Sequence, residues 1–287
     1  MLADTRDLQF LILGSASREL IEQSSESLAG RIDYLELTPF GLRETTDIAK
    51  LWVRGGFPRS YLASSGADSF AWRAAYVRTF LEQDIPNLGF RIPARQLHRF
   101  WMMVSHYHGQ LFNASEIGRS LGITDHTVKK YLDILAGTFM MRILQPWFEN
   151  LHKRQVKSPK LYFRDAGLFH SLMGLKDKTA LERHPKLGAS WEGFALEEVL
   201  RCYEVPFDHA YFWRTQAGAE LDLLILHEGQ RLGFEFKYTE QTKLTPSIRT
   251  ALDDLQLDHV SIVYPGSQSF PLASNVSVLS IQQLYAS

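Results

Sequence analysis

The chain of 287 residues lacks several features that would place it in a class at once. It has one cysteine, Cys202, which excludes an internal disulfide and fits a reducing, cytoplasmic setting. No apolar run reaches the length of a membrane span, and no secretory signal peptide is visible. We therefore expect a cytoplasmic protein with no membrane partner.

A large excess of either charge is also missing. The net charge of −1 excludes a globally basic nucleic-acid-binding protein. The charges are uneven, however, because residues 99–160 hold nine Lys and Arg against four Asp and Glu, whereas residues 187–287 hold six against thirteen. The middle segment can meet phosphate directly, whereas the C-terminal segment needs metal ions or a basic neighbour to do so.

Two short acidic motifs near the C-terminus are the most informative feature that is present, Glu220-Leu-Asp222 and Glu235-Phe-Lys237. Residues 221–226 predict a buried strand, 227–230 a turn and 231–238 a second strand. An antiparallel hairpin would bring Asp222 beside Glu235, with Lys237 on the same face as Glu235. Two carboxylates and an ammonium can hold a divalent metal and polarise a water for phosphodiester hydrolysis.

The surrounding segments extend this pattern in a recognisable order. A helix predicted from Trp191 to Tyr203 carries Glu192, a strand follows at 210–213, and a helix at 246–255 and a strand at 259–264 come after the hairpin. This order resembles the core of the PD-(D/E)xK nuclease superfamily, which has a restriction-endonuclease-like fold. The resemblance implies that Glu192, Asp222, Glu235 and Lys237 are catalytic, with Mg²⁺ held by the three carboxylates.

The nuclease interpretation has one departure and one alternative. The superfamily often has Pro before the aspartate, where this chain has Leu221. Alternatively, Phe234 and Phe236 form the inner face of the strand, and Glu235 and Lys237 simply point to water. Three carboxylates held together without a metal repel one another, so the nuclease interpretation predicts that at least one of their pKa values is raised.

The middle segment predicts two short helices and a hairpin. Asn113 to Gly122 is a capped helix that ends at glycine, and Thr124 caps a second helix that runs to Leu135. Strands are predicted at 139–147 and 160–164, joined by a basic tip. The pattern is typical of a winged helix. If it binds DNA, we expect the contacts from His126, Thr127, Lys129, Lys130, Tyr131, Lys153 and Arg154. The alternative is a winged helix that packs against protein.

The N-terminal part adds further motifs. A buried-strand run at 7–13 precedes Gly14-Ser15, and a Leu-Ala-Gly-Arg sequence ends at Arg31. Gly-Gly-Phe-Pro at 55–58 and the sequence Phe-Arg-Asp-Ala-Gly-Leu at 163–168 follow. The whole succession resembles a prokaryotic family of predicted AAA-type ATPases whose C-terminal half is a domain of unknown function. The resemblance implies that Ser15 lies at a sensor strand and that Arg31 reaches a neighbouring nucleotide.

The sequence departs from that family in one respect, because Gly-x₄-Gly-Lys-Ser/Thr occurs nowhere in it. We therefore expect that this chain alone does not bind ATP, and that a P-loop-containing portion lies upstream in the gene or in a partner chain. Oligomerisation stays open.

Together these patterns predict a mixed α/β, multi-domain chain. We expect an ATPase remnant over 1–90, a winged helix over 91–165 and a PD-(D/E)xK nuclease-like domain over 166–287. The predicted function is DNA-associated, with metal-dependent nuclease activity. The alternative is a non-catalytic regulatory or protein-interaction module of an ATPase.

Overall fold

The computed structural model describes residues 35–149, 155–206 and 209–285. These residues form a mixed α/β fold, as the sequence predicts. The candidate residues Ser15, Arg31, Lys153 and Arg154 lie outside the described residues. Within the described ranges, no helix is both long and apolar enough to cross a lipid bilayer.

The helices of the described residues are α1 (Ile48–Arg54), α2 (Pro58–Tyr61), α3 (Gly66–Thr79), α4 (Ala94–Ser105), α5 (Ala114–Leu121), α6 (Asp125–Gly137), α7 (Ala166–Leu172), α8 (Lys178–Glu182), α9 (Leu187–Cys202) and α10 (Pro246–Leu255). Helix α3 continues through a π-helical stretch, Phe80–Asp84, and a last turn, Ile85–Asn87. The strands are β1 (Gln110–Leu111), β2 (Met141–Pro146), β3 (Lys160–Phe163), β4 (Ala210–Arg214), β5 (Glu220–His227), β6 (Gln230–Phe236), β7 (His259–Tyr264), β8 (Phe270–Ala273) and β9 (Val276–Ser280).

One sheet joins the middle and C-terminal segments. Its nine described strands follow the order β1-β3-β2-β4-β5-β6-β7-β9-β8. Strand β2 pairs antiparallel with β3 and parallel with β4, where Gln145 lies opposite Tyr211 and Pro146 opposite Phe212. This short parallel pairing brings β3 near the acidic hairpin, although the two are far apart in the sequence.

The predicted hairpin forms with its expected register. Strands β5 and β6 are antiparallel, and their two-residue turn, Glu228 and Gly229, has φ values of 50° and 80°. Positive φ at both turn positions matches the right-handed twist of the flanking strands, and glycine adopts it without strain. The apolar residues of these strands are buried by helices on both faces. Helix α9 packs in one hydrophobic cluster with Leu223 and Phe234, and α10 packs in another with Leu224.

Local capping explains the two short helices of the middle segment. The Asn113 side chain accepts a hydrogen bond from the Glu116 N–H, and Thr124 accepts one from the Thr127 N–H. Between the helices, Gly122 adopts the left-handed conformation that ends α5. Strand β1 pairs with β3, so the order is helix, short strand, two helices and hairpin. The two capped helices and the hairpin are elements that the sequence predicts, whereas the short strand β1 is not among them, and the winged helix over 91–165 stays a prediction.

The Gly-Gly-Phe-Pro motif at residues 55–58 and the motif at residues 163–168 contact each other. The Asp165 carboxylate caps α7 through the Leu168 N–H and also accepts a 2.8 Å hydrogen bond from the Gly56 N–H. A Cβ added at Gly55 would lie 2.2 Å from Asp165 Oδ1, and one at Gly167 would lie 2.2 Å from the Arg54 carbonyl oxygen. The Gly-Gly-Phe-Pro motif is therefore part of the packing between α1 and α7.

Candidate acidic active site

The β5–β6 hairpin places two carboxylates side by side near the end of the paired region. Leu223 lies opposite Phe234, so the same register sets Asp222 opposite Glu235. Asp222 Oδ2 accepts a 3.1 Å hydrogen bond from the Phe236 N–H. Asp222 and Glu235 are only 7% and 5% exposed. The alternative in which Glu235 points to water from a solvated face is therefore wrong.

Lys237 joins the two carboxylates. Its Nζ lies 2.9 Å from Glu235 Oε2 and 3.9 Å from Asp222 Oδ2. The Lys237 side chain is 42% exposed, so it contacts solvent as well as the two buried carboxylates. The structure thus brings together Asp222, Glu235 and Lys237, as the spacing in the sequence predicts.

A second ammonium, that of Lys160 on β3, contacts three carboxylates, one of which is Asp222. Lys160 Nζ lies 2.5 Å from Glu220 Oε1, 3.3 Å from Glu192 Oε1 and 3.7 Å from Asp222 Oδ1. The Lys160 side chain is 3% exposed. Sequence reasoning placed this lysine in a basic wing and missed its role here, because only the β2–β4 pairing brings β3 to the carboxylates.

Glu192 is held on the α9 side of the same cluster. The Tyr162 hydroxyl on β3 donates a 2.6 Å hydrogen bond to Glu192 Oε1, the oxygen that also contacts Lys160. Tyr162 is fully buried. Lys160 therefore links Glu192 to Asp222, and the four predicted catalytic residues lie in one charged network.

Burial and mutual repulsion raise carboxylate pKa values, as three clustered carboxylates predict. Burial, with the Asp222 charge second, raises the pKa of Glu235 to about 8, against the opposing effect of Lys237. Burial also raises the pKa of Glu192 to about 6. Burial alone would lower the pKa of Lys237, but the charges of Asp222 and Glu235 raise it above its usual value. Without a bound cation, Glu235 therefore holds its proton to a higher pH than an ordinary glutamate does.

The raised pKa of Glu235 predicts a pH-dependent stability in the absence of divalent ions. Between its ordinary pKa of 4.5 and about 8, the folded chain binds a proton that the unfolded chain releases. The stability that this proton contributes is complete below pH 4.5 and is lost as the pH rises to about 8. Its magnitude is on the order of a few kcal/mol. In denaturant unfolding with EDTA, the free energy of unfolding of wild type should therefore fall from about pH 5 to about pH 8. In Glu235→Gln it should fall less over the same range. The control is Glu228→Gln in the β5–β6 turn, and equal pH slopes in wild type and Glu235→Gln would contradict the assignment.

A second buried charge cluster lies five residues further along α9, at Glu197. The carboxylate of Glu197 receives two hydrogen bonds from Arg142, of 2.5 and 2.9 Å. Burial alone would raise the pKa of Glu197, but Arg142 and then Arg164 lower it to about 2. Glu197 therefore forms a structural ion pair with Arg142. It differs from Glu192, whose pKa is raised and not lowered.

The hard oxygen donors of Asp222 and Glu235 fit Mg²⁺ or Mn²⁺, and two carboxylates suffice for a site that keeps several waters. Across residues 35–149, 155–206 and 209–285, no three His, Cys, Asp or Glu side chains form a ready-made metal-binding group. Glu192 contacts Tyr162 and Lys160 instead. Its membership of a metal site stays a prediction, and Asp222 with Glu235 is the pair that would hold the ion.

The predicted DNA-contacting residues on α6 divide into two groups. His126, Lys129 and Lys130 are exposed, and Thr127 is partly buried at the start of the helix. Tyr131, however, is 6% exposed, with its ring against Phe100. The prediction that Tyr131 faces a DNA groove is wrong, because it lies on the inner face of α6 next to Leu132 and Leu135 in the hydrophobic cluster.

Comparisons with known proteins match both halves of the described chain to domain families. Residues 45–179 match a domain of unknown function (DUF8612), and residues 187–284 match another domain of unknown function (DUF4143). No solved structure matches the chain.

Two curated relatives, uncharacterized proteins of Mycobacterium tuberculosis strain H37Rv and Mycobacterium bovis, are each 50% identical over 278 residues. These matches cover 96% of this chain and 63% of each relative, so the chain spans less than two thirds of their length. The chain is therefore similar, over nearly all of its length, to these mycobacterial proteins. Its C-terminal segment matches a domain of unknown function, as the family resemblance implies.

Proposed function

We propose that the chain is the DNA-associated part of an AAA-type ATP-binding protein, and that its acidic site cleaves phosphodiester bonds with a divalent metal. The observation that carries this proposal is that the Lys237 ammonium contacts both buried carboxylates, at 2.9 Å from Glu235 Oε2 and 3.9 Å from Asp222 Oδ2. The order of α9, β4, β5, β6, α10 and β7 supports the PD-(D/E)xK assignment. The AAA portion is proposed from the family resemblance alone.

Each residue of the site has a distinct part in this proposal. Asp222 and Glu235 would hold the cation, which would supply Lewis-acid stabilisation of the phosphodiester. Lys237 reaches solvent and can neutralise charge on a phosphate oxygen or orient the attacking water. Lys160 and Tyr162 position Glu192 and offset the charge of the buried carboxylates. The test is cleavage of single-stranded and duplex DNA by the full chain with Mn²⁺, which Asp222→Asn should abolish.

The basic middle segment would deliver the substrate. The C-terminal segment has thirteen acidic against six basic residues and repels DNA, whereas residues 99–160 carry the opposite excess. Helix α6 carries Lys129 and Lys130, which are both exposed, and in this proposal it is the recognition helix of a winged helix.

If α6 binds a duplex, Lys129→Glu with Lys130→Glu should weaken binding and reduce its salt dependence. Each lost phosphate contact lowers the slope of log affinity against log salt by about 0.9, so two contacts lower it by about 1.8. The measurement is a salt series of fluorescence anisotropy on a labelled duplex. A charge-matched control, Arg59→Glu with Lys176→Glu, changes two exposed cations outside α6. An equal loss in both double variants, or no binding by the folded wild type, would contradict the assignment.

The second candidate is a non-catalytic regulatory or protein-interaction module. Lys160 favours it, because its ammonium contacts three carboxylates at 2.5 to 3.7 Å and so neutralises part of the charge that a metal would otherwise neutralise. In this case the network is a buried structural ion cluster. The response of the folded chain to Mn²⁺ separates the two candidates.

A further inference from the structure

Asp222 directs its two carboxylate oxygens at two different cations of the acidic site. Its Oδ2 atom accepts the hydrogen bond from the Phe236 N–H and lies 3.9 Å from the Lys237 ammonium, which also contacts Glu235. Its Oδ1 atom lies 3.7 Å from the Lys160 ammonium. In two-metal sites for phosphodiester chemistry the ions lie roughly 3.5–4 Å apart, and a carboxylate can bridge them with one oxygen on each. Asp222 is therefore placed to bridge two cationic positions, one of which Lys160 already fills.

The Lys160 ammonium has surroundings that would also suit a metal ion. Three carboxylate oxygens lie around its Nζ atom, Glu220 Oε1 at 2.5 Å, Glu192 Oε1 at 3.3 Å and Asp222 Oδ1 at 3.7 Å. An ammonium has three N–H donors, so each carboxylate can accept one of them. Carboxylate oxygens are equally the ligands that Mg²⁺ and Mn²⁺ prefer. The side chains of Glu220 and Glu192 are 25% and 17% exposed, so solvent has access to two of the three carboxylates.

The two ammoniums of the site differ in their freedom to move. The Lys237 side chain is 42% exposed, so it can turn to solvent when an ion binds Asp222 and Glu235. The Lys160 side chain is 3% exposed, and its Nζ atom lies over the Phe212 ring, 5.5 Å from the ring centroid. Its strand, β3, is paired on both sides, with β1 and with β2. An incoming ion can therefore displace Lys237 from the carboxylates, whereas Lys160 stays in place.

We propose that the Lys160 ammonium takes the place of a second metal ion and so limits the acidic site to one divalent cation. Lys160 is then a positioning residue, which holds Glu192 and Glu220 away from the ion bound by Asp222 and Glu235. The inference rests on the proposed function for that first ion, whereas the cation position around Lys160 rests on the three carboxylates alone. Glu192 and Glu220 become ligands of a second ion only when the ammonium is removed.

The test counts the Mn²⁺ ions that the full chain binds, by isothermal titration and by electron paramagnetic resonance. Wild type is expected to bind one Mn²⁺, with the resolved hyperfine lines of an isolated ion. Lys160→Ala removes the ammonium and leaves room for an ion and its waters, so it is expected to bind two. Two Mn²⁺ ions that share Asp222 couple magnetically, which changes the spectrum. A loss of packing alone does not produce this signal.

Further variants identify the ligands of the second ion. Adding Glu220→Gln to Lys160→Ala removes one carboxylate from the vacated position and should weaken the second Mn²⁺ about tenfold or more, because affinity follows the charge of the ligands. The matched control is Lys243→Ala, which removes an exposed lysine and should bind one Mn²⁺ as wild type does. If Lys160→Ala does not fold, Lys160→Gln, which is also neutral, takes its place with the same expectation.

The role of Lys160 and the proposed function fail in different ways. One Mn²⁺ in both wild type and Lys160→Ala, or two in wild type, would overturn the role of Lys160 and leave the metal site of the proposed function intact. No Mn²⁺ in wild type but one in Lys160→Ala would support the role of Lys160 and contradict the metal-dependent function. No Mn²⁺ in either protein would overturn both.

Discussion

Asp222→Asn is expected to lower Mn²⁺-dependent DNA cleavage by about 10²-fold or more while leaving the fold intact, because it removes a charge on which the cation and the transition state depend. The substitution is nearly isosteric, and the Asn side-chain oxygen can still accept the hydrogen bond from the Phe236 N–H. It also relieves the repulsion that contributes to the raised pKa of Glu235. We therefore expect the melting temperature without metal to stay at or above that of wild type.

The measurement is the initial rate of cleavage of a labelled DNA by purified full chain with excess Mn²⁺. Asp253→Asn, an exposed aspartate on α10, is the matched control and should cleave at the wild-type rate. Cleavage by Asp222→Asn at the wild-type rate would show that the activity comes from elsewhere in the chain or from a contaminant.

Lys160→Met should cause the largest loss of stability, since it leaves Glu192, Glu220 and Asp222 without their shared buried cation. Removing one partner of a buried ion pair costs about 3 to 5 kcal/mol. For a chain of this size, that corresponds to a fall in melting temperature on the order of 10 °C. Part of the loss should be recovered at lower pH, where the carboxylates are protonated, and part by Mn²⁺, which supplies positive charge in place of the ammonium.

Thermal melts of Lys160→Met at several pH values, with and without Mn²⁺, check this expectation. Lys243→Met is the control, because Lys243 is an exposed lysine and its loss should leave the melting temperature unchanged. A variant as stable as wild type at every pH would mean that Lys160 does not hold the carboxylates together.

The hairpin and the short helices could be predicted from sequence because local rules determine them. Caps at Asn113 and Thr124, and a two-residue turn at Glu228 and Gly229, fix the element ends. The fixed side-chain period of a strand then sets Asp222 opposite Glu235 once the turn is known.

The remainder of the site depends on contacts between distant segments. The β2–β4 pairing brings Lys160 and Tyr162 to Glu192, and no local pattern in the sequence indicates this pairing. Tyr131 was assigned to the wrong side of α6 because a tyrosine suits both an apolar core and a DNA surface, and here the Phe100 ring covers it.

The most direct test of the metal-dependent site is a Mn²⁺ titration of the melting temperature in wild type and Asp222→Asn. Binding to the folded state stabilises it by about 2.7 kcal/mol at a hundredfold excess over the dissociation constant, which raises the melting temperature by several degrees. The account predicts this rise in wild type and its absence in Asp222→Asn. No rise in wild type, or an equal rise in both proteins, would contradict it.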